Sequence, residues 1–108
     1  MAQEAYRLEF KPSFVRSVDD EMEYWQRASP EKAKRLLEGL LQLIDAIERM
    51  PLMYPECEQL PTKAKLYRVA VLAPQYKVIY KVKGGMVSYL CFFNTKRHPG
   101  GIRSLRQK

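Results

Sequence analysis

Tyr76-Lys77-Val78-Ile79-Tyr80-Lys81-Val82-Lys83-Gly84-Gly85-Met86-Val87-Ser88-Tyr89-Leu90-Cys91-Phe92-Phe93 is the stretch that decides the fold. β-branched and aromatic residues fill both halves, and Gly84-Gly85 supplies the central pair of a tight turn, so the segment reads as a β-hairpin. Alternation of side chains puts Tyr76, Val78, Tyr80 and Val82 on one side of the first arm and Lys77, Ile79, Lys81 and Lys83 on the other. The first side belongs in a core. The second carries cations on a strand and therefore belongs on a face that no helix covers.

Upstream, Lys65 to Leu72 is another β-rich run, joined to the hairpin by Ala73-Pro74-Gln75; the second arm continues from Met86 to Thr95. The same alternation groups Tyr67, Val69 and Val71 with the core side and leaves Leu66, Arg68 and Ala70 on the open side. Arg68 and Lys77 are thus expected to share that open face. Between Pro51 and Thr62, three prolines punctuate Tyr54, Cys57 and Leu60 in a pattern neither helical nor alternating, which predicts an ordered loop crossing the core surface.

The N-terminal half is helical. Tyr6 to Phe10 alternates like a half-buried strand and ends at Lys11-Pro12-Ser13. From Phe14 the apolar residues fall at Phe14, Val15, Val18, Met22 and Trp25, with Asp19, Asp20, Glu21 and Glu23 mostly opposite, predicting a helix to about Ala28. Ser29 as N-cap, Pro30 at the first helical position and Glu31 at the positive end of the dipole open a second helix. Its stripe runs Ala33, Leu36, Leu37, Leu40, Leu43, Ile44 and Ile47, and Pro51 stops it. Tyr24, Trp25 and this leucine stripe are read as core. The order is strand, helical hairpin, then antiparallel three-strand meander: an α+β domain with its helices on one sheet face.

The 108 residues, 46% of them apolar, make a single domain over residues 1–108, which buries roughly two-thirds of its unfolded surface without metals or disulfides. No apolar run reaches the ~20 residues of a membrane helix, and Met1-Ala2-Gln3-Glu4-Ala5 lacks secretory character, so a cytoplasmic protein without membrane partners is expected. Cys57 and Cys91 stand apart, and with one histidine no structural zinc site can be assembled from nitrogen and sulfur ligands. No metal or other cofactor is expected, and the cysteines read as buried thiols. Charge is the sharper signal. Met1 to Tyr54 holds 8 basic and 10 acidic residues, Pro55 to Lys108 holds 11 and 2, so the halves carry −2 and +9, and nothing acidic follows Glu58. Self-repulsion on that scale implies an anionic partner.

A strand, a helical hairpin, and then Leu66-Tyr67-Arg68-Val69-Ala70-Val71, Tyr76-Lys77-Val78-Ile79-Tyr80-Lys81-Val82 and Phe93-Asn94-Thr95-Lys96-Arg97-His98-Pro99 resemble the RelE/ParE superfamily of bacterial toxins over nearly the whole chain. The resemblance implies a RelE/ParE-like fold and a growth-inhibiting toxin of a type II toxin–antitoxin pair, held in a hetero-oligomer by an acidic antitoxin that wraps it. It also implies one of two targets, with the ribosome-dependent mRNA endonuclease as the first expectation and the gyrase inhibitor as the alternative. RelE-like members are metal-independent endoribonucleases that cut mRNA on the ribosome; ParE-like members inhibit DNA gyrase without being enzymes. A basic module that docks an antitoxin but has lost toxicity is a further alternative.

Metal-free RNA cleavage needs a base for the 2′-hydroxyl, cations for the phosphate and an acid for the leaving oxygen. Carried over from the ribonucleases, Arg68 and Lys77 fall at basic positions of the second and third strands, and Arg97 at one just after the fourth. His98 is the candidate acid or base, with an ordinary pKa of ~6.5. Two departures favour the ParE side or an altered site: Ala70 stands where RelE has a second lysine, and the region of Arg103 where RelE has a tyrosine. Lys63, Lys65, Lys81, Lys96 and Arg103 are expected to bind nucleic acid or antitoxin electrostatically.

Overall fold

The computed structural model describes residues 6–96 apart from Gln59, Ala64 and Pro74. Strand β1 (Arg7–Phe10), helices α1 (Pro12–Ala28) and α2 (Pro30–Arg49), and strands β2 (Tyr67–Leu72), β3 (Tyr76–Lys83) and β4 (Met86–Asn94) follow in the expected order. The signals act where they were read. Ser29 Oγ accepts the Lys32 amide at 3.4 Å, with Pro30 and Glu31 in the first turn of α2. Gly84 and Gly85 take φ of 60° and 76°, the pair of positive values that a twist-matched two-residue turn demands.

The sheet order is β1-β4-β3-β2, with the meander antiparallel and β1 parallel to β4. Both helices lie on one face, where Phe14, Leu40 and Ile47 meet Val78, Tyr80, Tyr89 and Phe92 in the main core. A bulge in β4 lets Ile79 face Cys91 while Tyr80 faces Tyr89, so Leu90 is the extra residue. Helix α1 takes up the backbone groups displaced there: Ser13 Oγ donates to the Leu90 carbonyl at 2.6 Å, and the Phe92 amide donates to Ser17 Oγ at 2.9 Å. The bulge is thus satisfied by side chains, as buried backbone groups must be.

The register corrects one expectation. Arg68 stands opposite Tyr80, Ala70 opposite Val78 and Leu72 opposite Tyr76, so these three residues of β2 face the helices; Tyr67, Val69 and Val71 lie with Lys77, Ile79 and Lys81 on the other side. Arg68 and Lys77 do not share a face. Leu66 to Leu72 is apolar on both sides except at Arg68, so alternation fixed its period but not its phase, and one residue of register exchanges the faces. A second apolar cluster explains why both sides are apolar. Cys57 and Leu60 from the loop before β2 cover Ile79 and Phe93, with Tyr67, Val69, Leu90 and Cys91 packed around them.

The helices carry smaller corrections. Glu21 is buried, 3% exposed, whereas Tyr24 is 46% and Leu37 40% exposed, so neither Tyr24 nor the whole leucine stripe is core. Cys57 is buried as expected and Cys91 only half-buried. Arg97, His98, Arg103 and the tail to Lys108 lie outside the described residues.

Candidate functional site

Arg68 is spent on structure. Its guanidinium donates to the carbonyls of Tyr54 at 2.6 Å and Leu52 at 3.2 Å, just past the end of α2, while Nε is buried without a hydrogen-bond partner. A backbone bridge between Glu56 and Arg68 lays the loop along the edge of β2, and Cys57 N donates to Tyr67 O at 2.8 Å. Both carbonyls belong to the loop that follows α2, so the Arg68 cation fastens that loop to β2. Tyr80, at Arg68's register position, is fully buried with its hydroxyl on the Pro51 carbonyl at 2.6 Å, and desolvation raises its pKa further from neutrality.

Lys77 occupies the opposite face, half-buried between Val71 of β2 and Phe93 of β4. Among the described residues no carboxylate lies within ion-pair distance of it. Lys81 is on the same face four residues further, about 13 Å along at the ordinary strand rise, with its ammonium 5.8 Å from the Tyr67 ring centre. Next to it, Glu9 accepts Ser88 Oγ at 2.7 Å and pairs with Lys11 at 3.2 Å. The Ser88 hydroxyl first, then Lys11, hold the Glu9 carboxyl below the usual carboxylate range. Lys63, Lys65 and Lys96 are exposed. The arrangement offers separate cations set among apolar residues. It does not bring Arg68 and Lys77 to one phosphate.

One group escaped the sequence reading. Asn94 Nδ2 donates to Glu21 Oε1 at 3.0 Å, its Oδ1 accepts the Lys96 amide at 3.0 Å, and Tyr76 Oη accepts Trp25 Nε1 at 2.6 Å. With Asn94 Nδ2 also 3.4 Å from Tyr76 Oη, this group ties α1 to the end of β4. The available signal was the acidic run Asp19-Asp20-Glu21, in which Glu21 lies seven residues after Phe14 and four before Trp25, on the core side of the helix.

The sequence profile of the family described as the ParE toxin of type II toxin–antitoxin systems, parDE, matches residues 8–97. The chain belongs to the ParE toxin family. It is a type II toxin, and solved structures share its fold. The chromosomal ParDE toxin–antitoxin system from P. aeruginosa superposes at a TM-score of 0.66 with 14% identity, over 83% of this chain and 96% of that one. A chain of the E. coli DinJ-YafQ toxin–antitoxin complex gives 0.60 with 18% identity, over 87% and 97%. A toxin described as YoeB/ParE from Agrobacterium tumefaciens gives 0.55 with 20% identity, over 82% and 97%. A search of curated protein sequences returns no significant match. Among the toxin's described residues no helix is long and apolar enough to cross a membrane.

Proposed function

We propose that this toxin inhibits growth by occupying a protein target, with DNA gyrase as the target that the ParE relationship suggests, and that an acidic antitoxin covers it in a cytoplasmic hetero-oligomer. One observation carries the reading against RNA cleavage: the guanidinium of Arg68, which a ribonuclease site would need beside Lys77, is on the helix side of the sheet and engaged by the Leu52 and Tyr54 carbonyls. What remains on the other face is Lys77 and Lys81, set apart among apolar neighbours, a surface suited to protein docking, in which apolar area supplies affinity and separate charges supply orientation. Purified gyrase tests this directly. Toxin in excess is expected to suppress supercoiling, and unaltered supercoiling would remove the proposal.

A ribosome-dependent mRNA endonuclease is the second reading. It is favoured by Lys77, which pairs with no carboxylate among the described residues, by Lys96 beyond the end of β4, and by Arg97 and His98 next in sequence, which together retain three cations and a proton-transfer group. Primer extension on ribosome-bound mRNA after antitoxin depletion would show codon-specific cuts, lost in an Arg97→Ala, His98→Ala double variant. Harmless expression without antitoxin would instead mark an inactive binding module.

A further inference from the structure

A cavity of about 270 Å³ opens where the end of α1, the start of α2 and the turn between β2 and β3 meet, away from Lys77. Trp25 and Tyr76 form its aromatic wall, Leu36 and Leu72 its apolar floor, and Lys32 and Arg35 stand at its rim. Leu72 is seated tightly, since a methyl group on Gly39 would lie 3.2 Å from its Cδ1. The Lys32 ammonium sits 4.9 Å from the Trp25 ring centre, and Arg35 makes only an exposed 3.7 Å pair with Glu31. An exposed pair of that kind is worth little and is readily exchanged for another carboxylate.

These features select an occupant. The volume falls just under the ~300–1,000 Å³ of drug-sized ligand sites, which suits one large side chain better than a whole cofactor. The indole N–H is already donated to the Tyr76 hydroxyl and the ring lies under Lys32, so little remains to read the edge of a nucleobase or to stack it. Both rim charges are positive and lie three residues apart at the start of α2. An apolar anchor flanked by carboxylates satisfies the floor and the rim together.

We propose that this cavity anchors an acidic peptide segment of the antitoxin, taking one large apolar side chain between Trp25, Tyr76 and Leu72 while flanking carboxylates meet Lys32 and Arg35. The proposal rests on the reading that the chain pairs with an antitoxin, as the structural relatives YafQ and YoeB do with DinJ and YefM.

Trp25 is the chain's single tryptophan, so intrinsic emission reports on the cavity alone. The probe is the tryptophan-free peptide acetyl-Asp-Glu-Phe-Leu-Glu-Asp-amide, titrated into the full chain. A saturable emission change is expected with a Kd of about 0.1–1 mM, the range open to a single short anchor. It should weaken about tenfold when the peptide's Phe and Leu become Ser. It should weaken as much in the Lys32→Glu, Arg35→Glu variant, which reverses exposed charges and leaves the core intact, but less than about threefold in Lys34→Glu on the same helix. No change up to about 5 mM, or equal responses from both variants, overturns the site. Tighter binding of adenosine monophosphate overturns it in favour of a nucleotide. Co-purification with a small acidic protein, should one be encoded beside this gene, separates the two readings. If that complex forms and the double variant binds as tightly as wild type, the cavity fails and pairing stands. If none forms with the wild-type chain, the pairing falls, and the antitoxin assignment of the cavity with it.

Discussion

The two faces of the sheet are both apolar at their centres but are covered by different means. On the helix side, α1 and α2 bring long apolar stripes, and Ser13, Ser17 and Trp25 fasten them with hydrogen bonds to Leu90, Phe92 and Tyr76. On the other side a loop supplies Cys57 and Leu60, held along β2 by a few backbone hydrogen bonds and by Arg68 reaching through the edge to the Tyr54 carbonyl. The first face is a fold's ordinary foundation. The second is divided, half of it sealed by the loop and half left to Lys77, Lys81 and the exposed Val71. Stability and target contact are therefore assigned to opposite sides of one sheet, and the assignment can be broken side chain by side chain.

The largest effect is expected at Tyr80→Ala on the helix side. It empties a fully buried aromatic position and deletes the hydrogen bond to Pro51, costing about 4 kcal/mol in urea unfolding. Leu60→Ala, equally buried beneath the loop, should cost about 2–3 kcal/mol, because the loop has room to settle into the space. Equal losses at both positions would show that the loop is as integral as the helices and would erase the distinction.

Arg68→Met separates structure from action. The variant forfeits two hydrogen bonds to loop carbonyls but also relieves a buried Nε that has no partner, so a loss of about 2 kcal/mol is expected. Whichever target assay responds to the toxin should respond equally to this variant once it is held below its unfolding midpoint. A specific loss of activity at full folding would return Arg68 to the functional surface.

These differences mark where sequence was sufficient. Helix limits were legible because Ser29, Pro30 and Pro51 punctuate them, and the β3–β4 hairpin because Gly84-Gly85 permits little else. The partnering of β1 with β4 was not, since a parallel pairing between distant segments leaves no local trace. The faces of β2 were not legible either: Leu66 to Leu72 serves two cores, and its phase is set by its partner strand. At the site, Lys77 was read onto the correct face because β3 alternates cleanly, whereas Arg68 inherited the ambiguity of its strand. Glu21 looked like one more exposed acid because its partner, Asn94, lies 73 residues away.

Lys77→Ala is the complement of Arg68→Met. Lys77 pairs with no carboxylate among the described residues, so stability should move by less than about 0.5 kcal/mol while growth inhibition falls. Unchanged toxicity would shift the contact surface away from the loop side of the sheet altogether.

The smallest effect lies at the edge of that face, where Ser88 and Lys11 favour the ionised form of Glu9. A carboxyl held below its unfolded value of ~4.3 contributes stability above that value and loses the contribution as pH falls through the folded value. Ser88→Ala removes the largest cause of the depression. The variant should therefore be slightly less stable than wild type at neutral pH and lose less between about pH 5 and pH 3, so that their urea midpoints converge on acidification. Curves that stay parallel across that window would mean that Ser88 holds β1 to β4 without biasing the charge on Glu9. The loop-side rim would then be tuned by Lys11 alone, through an exposed pair that added salt should weaken.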